Sequence, residues 1–222
     1  PSEHQKGITH ALKVAQLMRD AGYPNAFIVL ADENGTHHER TLNAGRIKNP
    51  MQLSDSQWKA FAKGCESIAE SVLTTYQMRT VFHHHCAGFI ETPDEIEKLM
   101  QLTDASLLGL CFDTGHYAFG GGDPIAGLKQ FNSRIWHVHF KDFDPQVARE
   151  SSFKNGDYFD AISKGVFCEL GKGSVNFEGV LDTLEKQRYK GWVVVEQDVL
   201  PGMGDPKACA EANRNYLTSI GL

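Results

Sequence analysis

Ile135-Trp136-His137-Val138-His139-Phe140-Lys141-Asp142 alternates bulky apolar and polar residues and then runs into a charged pair. Such a run reads as a strand. Successive side chains of a strand point to opposite faces, so His137, His139 and Lys141 share one face. Trp136, Val138 and Phe140 are expected on the other, packed beneath helices. The same grammar recurs along the chain. Ala26-Phe27-Ile28-Val29-Leu30-Ala31 is a short buried strand ending near Asp32 or Glu33. Arg79-Thr80-Val81-Phe82-His83-His84-His85 is a strand with His83 and His85 on one face. Leu107 to Phe112 ends on Asp113, and Trp192-Val193-Val194-Val195 ends on Glu196, with Asp198 two residues on.

Helical signals fill the gaps. Ser2 with Gln5 makes a capping box, followed by apolar residues at helical spacing until Gly22. Ser54 with Gln57 repeats the pattern and starts a helix to about Tyr76. Thr92-Pro93-Asp94-Glu95 supplies a cap, a proline at the first helical position and a carboxylate at the third. Asp123-Pro124 caps a helix to about Phe131; further helices span about Asn176 to Arg188 and Pro206 to Ser219. Two long stretches read as loops, 32–53 and the segment after Phe140 through Gly173, and the first has the length of a functional loop. Gly120-Gly121-Gly122 does not match the dinucleotide spacing and reads as a flexible loop before the Asp123 cap. Five strands strictly alternate with helices and no hairpin signal intervenes. The strands are therefore expected to pair in parallel, in an open doubly wound sheet or a (β/α)8 barrel.

The 222 residues are 41% hydrophobic and 23% charged, which excludes disorder and collagen-like repeats. Net charge is -6 and no basic run is dense enough to follow a phosphate backbone, which argues against nucleic acid as a partner. The longest apolar runs are a strand's length, so no membrane span is expected. The five cysteines form no CxxC pair and read as reduced, packed thiols, hence a cytoplasmic location. Pro1 stands where an initiator methionine would, so the chain is expected to be cut, processed or recorded in part.

If the strands close as a barrel, their C-terminal ends meet at one mouth, where active sites sit. His83 and His85, Asp113, His139 with Lys141, and Glu196 with Asp198 would then converge from four successive strands. Imidazole and carboxylate together suit a divalent cation such as Mn²⁺, Co²⁺, Mg²⁺ or Zn²⁺. A single strand-end Asp or His is commonly a helix cap; four in a row carry the signal. Alternation turns His84 away from its neighbours, so His84→Ala is expected to leave metal retention and turnover nearly unchanged. His37 and His38 read as solvated, and Glu95, Glu97 and Lys98 as a solvated helix face.

Several runs carry a resemblance that spans essentially the whole chain. They are Phe82-His83-His84-His85 with Gly88 and Glu91-Thr92, Phe112-Asp113-Thr114-Gly115-His116, His137 to Asp142, Leu170-Gly171-Lys172-Gly173, and Val194-Val195-Glu196-Gln197-Asp198. In order and spacing the sequence resembles the xylose-isomerase-like sugar isomerase/epimerase superfamily, and within it the myo-inosose dehydratase branch. The resemblance implies a TIM barrel whose divalent metal is held on strands 5 to 8. Carried over, the ligands are His83, Asp113, His139 and Glu196. His83 departs from the superfamily's Glu, whereas the dehydratase branch has a similar His-x-His strand end. His116 matches a substrate-contacting position, and Lys141 a pocket residue.

The strand at Ala26–Ala31 then becomes strand 4, and residues 1–222 are expected to form one partial barrel domain of strands 4–8. Such an arc exposes two long edges, which makes a homo-oligomer a further expectation. The implied activity is a metal-dependent lyase removing water from 2-keto-myo-inositol, or a related polyhydroxy ketone, through an enediolate. Acid and base are drawn from His85, His116, Lys141 and Glu196, in no settled order. Mn²⁺ or Co²⁺ leads the implied metals, with Mg²⁺ and Zn²⁺ as alternatives, and glutathione is associated with the family's dehydratases. A ketose 3-epimerase or isomerase on the same metal platform is the first alternative, a non-catalytic sugar-binding barrel the second.

Overall fold

A computed structural model describes residues 2–222; the side chain of Ser2, and with it the cap read there, lies outside what is described, as does Pro1. In chain order the helices are α1 (Ser2–Asp20), α2 (His38–Leu42), α3 (Asp55–Tyr76), α4 (Pro93–Leu102) and α5 (Thr114–Phe119). They continue as α6 (Pro124–Gln130), α7 (Pro145–Phe153), α8 (Tyr158–Ser163), α9 (Phe177–Lys186) and α10 (Pro206–Ser219). The strands are β1 (Ile28–Leu30), β2 (Thr80–His83), β3 (Leu108–Asp113), β4 (Ile135–Phe140) and β5 (Val193–Val195). Both halves of the capping boxes at Ser54 and Thr92 are formed, and Asp123 caps α6 through Ile125 N.

All five strands pair in parallel in the order β1-β2-β3-β4-β5. A doubly wound sheet reverses its strand order at a switch point. Stepping one strand at a time in one direction is instead the winding of a TIM barrel. The outer faces build the core: Phe82, Leu110, Phe112, Val138 and Phe140 are buried against Trp58, Ile96, Leu99, Leu128 and Phe177.

The structure departs from the sequence reading in three places. First, α2, α5, α7, α8 and a 3-10 turn at Asn49–Met51 lie in segments read as loops or left unassigned. Helices of five to nine residues make too few turns for apolar periodicity to show. Second, Trp136 is not on the outer face. Leu110 pairs with Ile135 but Cys111 pairs with His137, so Trp136 is the extra residue of a bulge. It joins His137 on the inner side, where a Cβ on Gly109 would overlap its indole. The Arg79 guanidinium lies 3.5 Å from the Trp136 ring centroid.

Third, Glu95 is not solvated. It is 1% exposed and takes a two-pronged ion pair from the fully buried Arg40 of α2, at 2.7 and 3.0 Å. Beside it, the buried Glu91 accepts Gly45 N at 2.6 Å and Ala87 N at 2.7 Å. The two carboxylates fasten the segment after β1 onto the barrel. Burial pushes the Glu91 carboxyl up to about 7, against the pull of those two N–H groups and of Arg40. Folding thus tightens its hold on a proton. Its stabilising contribution is complete below pH 4.5, declines through the window up to about 7 and is absent above it. The swing is on the order of 3 kcal/mol. Urea unfolding of wild type and Glu91→Gln, below, within and above that window, is expected to show the wild type losing ground by this amount as pH rises. Parallel curves would refute it.

Candidate metal centre

Strand register brings the polar strand ends to one level. His83 ends β2 opposite Cys111, Asp113 ends β3 opposite His139, and His139 pairs with Val194. Glu196 N donates to Phe140 O at 3.0 Å, which continues the β4–β5 pairing past Val195. Period two then puts His83, Asp113, His139 and Glu196 on the inner face.

Their polar atoms converge. His139 Nδ1 lies 2.8 Å from Glu196 Oε2 and 3.8 Å from Asp113 Oδ2. His83 Nε2 lies 3.5 Å from Asp113 Oδ2 and 3.7 Å from Glu196 Oε2. Ligands about 2.1 Å from one first-row ion stand roughly 3.0–3.5 Å apart, so the spacing fits a single cation. Two imidazole nitrogens and two carboxylate oxygens suit a borderline divalent metal. Asp113 serves twice. Its Oδ1 accepts His116 N at 2.8 Å as the cap of α5, while Oδ2 faces the imidazoles.

Lys141 closes one side. Its buried Nζ donates to Glu196 Oε1 at 3.1 Å and lies 3.0 Å from Asp198 Oδ2. Burial alone would lower its pKa, but the charges of Asp113, Glu196 and Asp198 prevail and raise it. Burial alone would likewise raise Glu196, yet the His139 hydrogen bond and the Lys141 charge hold it well below the usual carboxylate range. On the other side, the His85 ring is 4.3 Å from His83 and 5.3 Å from His116, centroid to centroid. Burial, with His83 adjacent, pushes His85 down to about 4; burial also drives His116 and His84 well below the ordinary value. His116 is enclosed, whereas His85 is half-buried.

Other strand-end residues stand apart. The Asp32 carboxylate accepts the N–H groups of Phe89 and Ile90 and is raised by burial. His37 and His38 are exposed, as expected. His137 sits one step below the centre, 5.2 Å from the His139 ring. Two contributors escaped the sequence reading. The buried Cys111 thiol comes within 4.8 Å of ligand atoms of both His83 and His139, and its parity with Asp113 was the available signal. Burial raises its pKa. Asp142 accepts four backbone N–H groups, from Phe143, Gly171, Gly173 and Val175, at 2.8–3.0 Å. That clamp folds the 143–175 segment back, bringing Phe167 to 4.7 Å from the His116 ring and 4.6 Å from Lys141 Nζ.

A parallel sheet wound one strand at a time, with two imidazoles and two carboxylates gathered at its C-terminal edge, defines a TIM-barrel chain with a candidate divalent-metal centre. Residues 1–220 match the family model of the xylose isomerase-like TIM barrel, and the chain belongs to that family. It is 31% identical over 190 residues to inosose dehydratase of Clostridium tetani (strain Massachusetts / E88), covering 86% of this chain and 63% of the relative. It is 33% identical over 204 residues to rhizopine catabolism protein MocC of Rhizobium meliloti, covering 92% and 61%. The chain thus spans somewhat less than two thirds of these relatives' length. Among solved structures, the IOLI protein with a binding zinc atom superposes with a TM-score of 0.71 at 13% identity, over 99% of this chain and 70% of that one. No described helix is long and apolar enough to cross a membrane.

Proposed function

We propose that this chain carries the metal centre of a hydro-lyase that removes water from 2-keto-myo-inositol or a closely related polyhydroxy ketone. The observation that carries the reading is the convergence of His83 Nε2, Asp113 Oδ2, His139 Nδ1 and Glu196 Oε2 within 4.8 Å of one another. Those residues would hold the ion, and the names of the sequence relatives supply the substrate class. A divalent cation there supplies Lewis-acid polarisation of a ketone oxygen.

The chain's own residues divide the proton work by position. His85, half-buried beside His83, is the base for the proton α to the carbonyl. Lys141, with Nζ fixed between Glu196 and Asp198, is the acid that delivers a proton to the departing β-hydroxyl. His116, enclosed between His85 and Phe167, orients rather than titrates. An imidazole ligand at position 83, in place of a carboxylate, would leave the site one negative charge short of a four-ligand set with three carboxylates. An ion held there would be a stronger electrophile toward a neutral ketone.

The test is metal analysis of purified protein followed by a substrate screen with Mn²⁺, Co²⁺, Mg²⁺ and Zn²⁺. Consumption of the inosose with growth of dione absorbance is expected. Reversible ketose interconversion without dehydration would assign an epimerase instead, and neither metal nor turnover would leave a sugar-binding barrel.

A further inference from the structure

We propose that His84, the residue that follows β2 and packs on the outer side of the sheet against Phe112, is a positioning residue for the Asp113 carboxylate; the inference rests on the metal reading above. Strand alternation alone makes His84 a bystander, and its local contacts say otherwise. The last β2–β3 pair is His83 with Cys111, so the Asp113 N–H lies beyond the end of the strand pairing. The His84 imidazole takes that N–H, with Nε2 accepting it at 3.2 Å. A nitrogen that accepts carries no proton, so the proton sits on Nδ1. Nδ1 is buried and has no hydrogen-bond partner among the described residues. Edge-on contacts with Phe112 and Tyr117, at 5.8 and 5.9 Å between centroids, leave the ring little room to turn.

Asp113 is consequently held at two points on its own residue. His84 fixes the backbone N–H, and the α5 cap fixes Oδ1 through His116 N. Only Oδ2 is left to face His83 and His139. Loss of the His84 anchor frees the strand end and lets Oδ2 drift from the centre. Residues that orient metal ligands from behind act through this kind of contact.

Co²⁺ is the probe, read by competition titration for affinity and by its visible absorption for coordination, with urea unfolding of the metal-free protein measured separately. His84→Gln places an amide oxygen near the position of Nε2, His84→Asn places it a bond too short, and His84→Leu has none. The Gln variant is expected to bind Co²⁺ as the wild type does. The Asn and Leu variants are expected to lose about ten- to a hundredfold in affinity, with altered absorption. If Asn and Leu match the wild type in affinity and absorption, whatever their stability, His84 only packs and the inference falls. It falls equally if Gln binds as poorly as Leu. Should the Leu variant not fold, the Asn and Gln pair decides alone. Wild-type protein that takes up no Co²⁺ overturns the metal reading itself, a result distinct from equal binding by every variant.

Discussion

Replacing His139 with alanine is expected to strip the protein of its metal and to reduce turnover on the order of a thousandfold or more. The reason lies in the geometry. His139 Nδ1 is within 3.8 Å of both carboxylates of the centre, at 2.8 Å from Glu196 Oε2 and 3.8 Å from Asp113 Oδ2. Without the imidazole, a cation would have only those carboxylates and His83 to hold it. Glu196 also loses the hydrogen bond that opposes its burial and is left to Lys141. Metal content after dialysis, measured beside steady-state turnover and circular dichroism, checks this. A folded His139→Ala protein that retains wild-type metal stoichiometry and activity would exclude His139 as a ligand.

Arg40→Met is expected to destabilise the fold by about 3–5 kcal/mol, the range for removing one partner of a buried ion pair. Arg40 and Glu95 side chains are 0% and 1% exposed, and the guanidinium meets both carboxylate oxygens. Glu95 is unable to retreat to solvent, because its Oε2 also accepts the N–H groups of Glu91 and Thr92. The substitution therefore strands a carboxylate in the interior. Replacing both partners, Arg40→Met with Glu95→Gln, is expected to recover much of the loss, since the uncompensated charge is gone. Urea unfolding of the single and double variants measures both effects. A single-variant loss under about 1 kcal/mol would show that the pair is not buried in solution. The effect reaches the mouth of the barrel, because Arg40 anchors α2 and the neighbouring Glu91 holds Gly45.

The candidate centre was legible because it is assembled from strand ends. Asp113, His139 and Glu196 each follow a run of apolar residues, and the two-residue period tells which of their neighbours share their face. The caps at Ser54, Thr92 and Asp123 were readable for a similar reason: each joins residues no more than three apart. Lys141 was recognisable as a residue of the mouth, but its partners were not, since Glu196 and Asp198 arrive 55 and 57 positions later in the chain.

Local periodicity thus carries the α/β alternation, the parallel pairing and the polar strand ends, since each depends on spacing within one element. The direction of winding was open until strand order became visible, because a helix between two strands does not say on which side the second strand pairs. Trp136 changed faces for want of one register observation: a bulge inserts a residue without any mark in the surrounding apolar run. Glu95 looks like a helix-surface carboxylate until Arg40, 55 residues earlier, is brought against it. His84 looks like a residue facing the wrong way until the neighbouring strand outruns its own and offers an unpaired N–H. Charge pairing and side-chain contacts to a neighbour's backbone belong to distances in space, and those arise only when the strands are laid side by side.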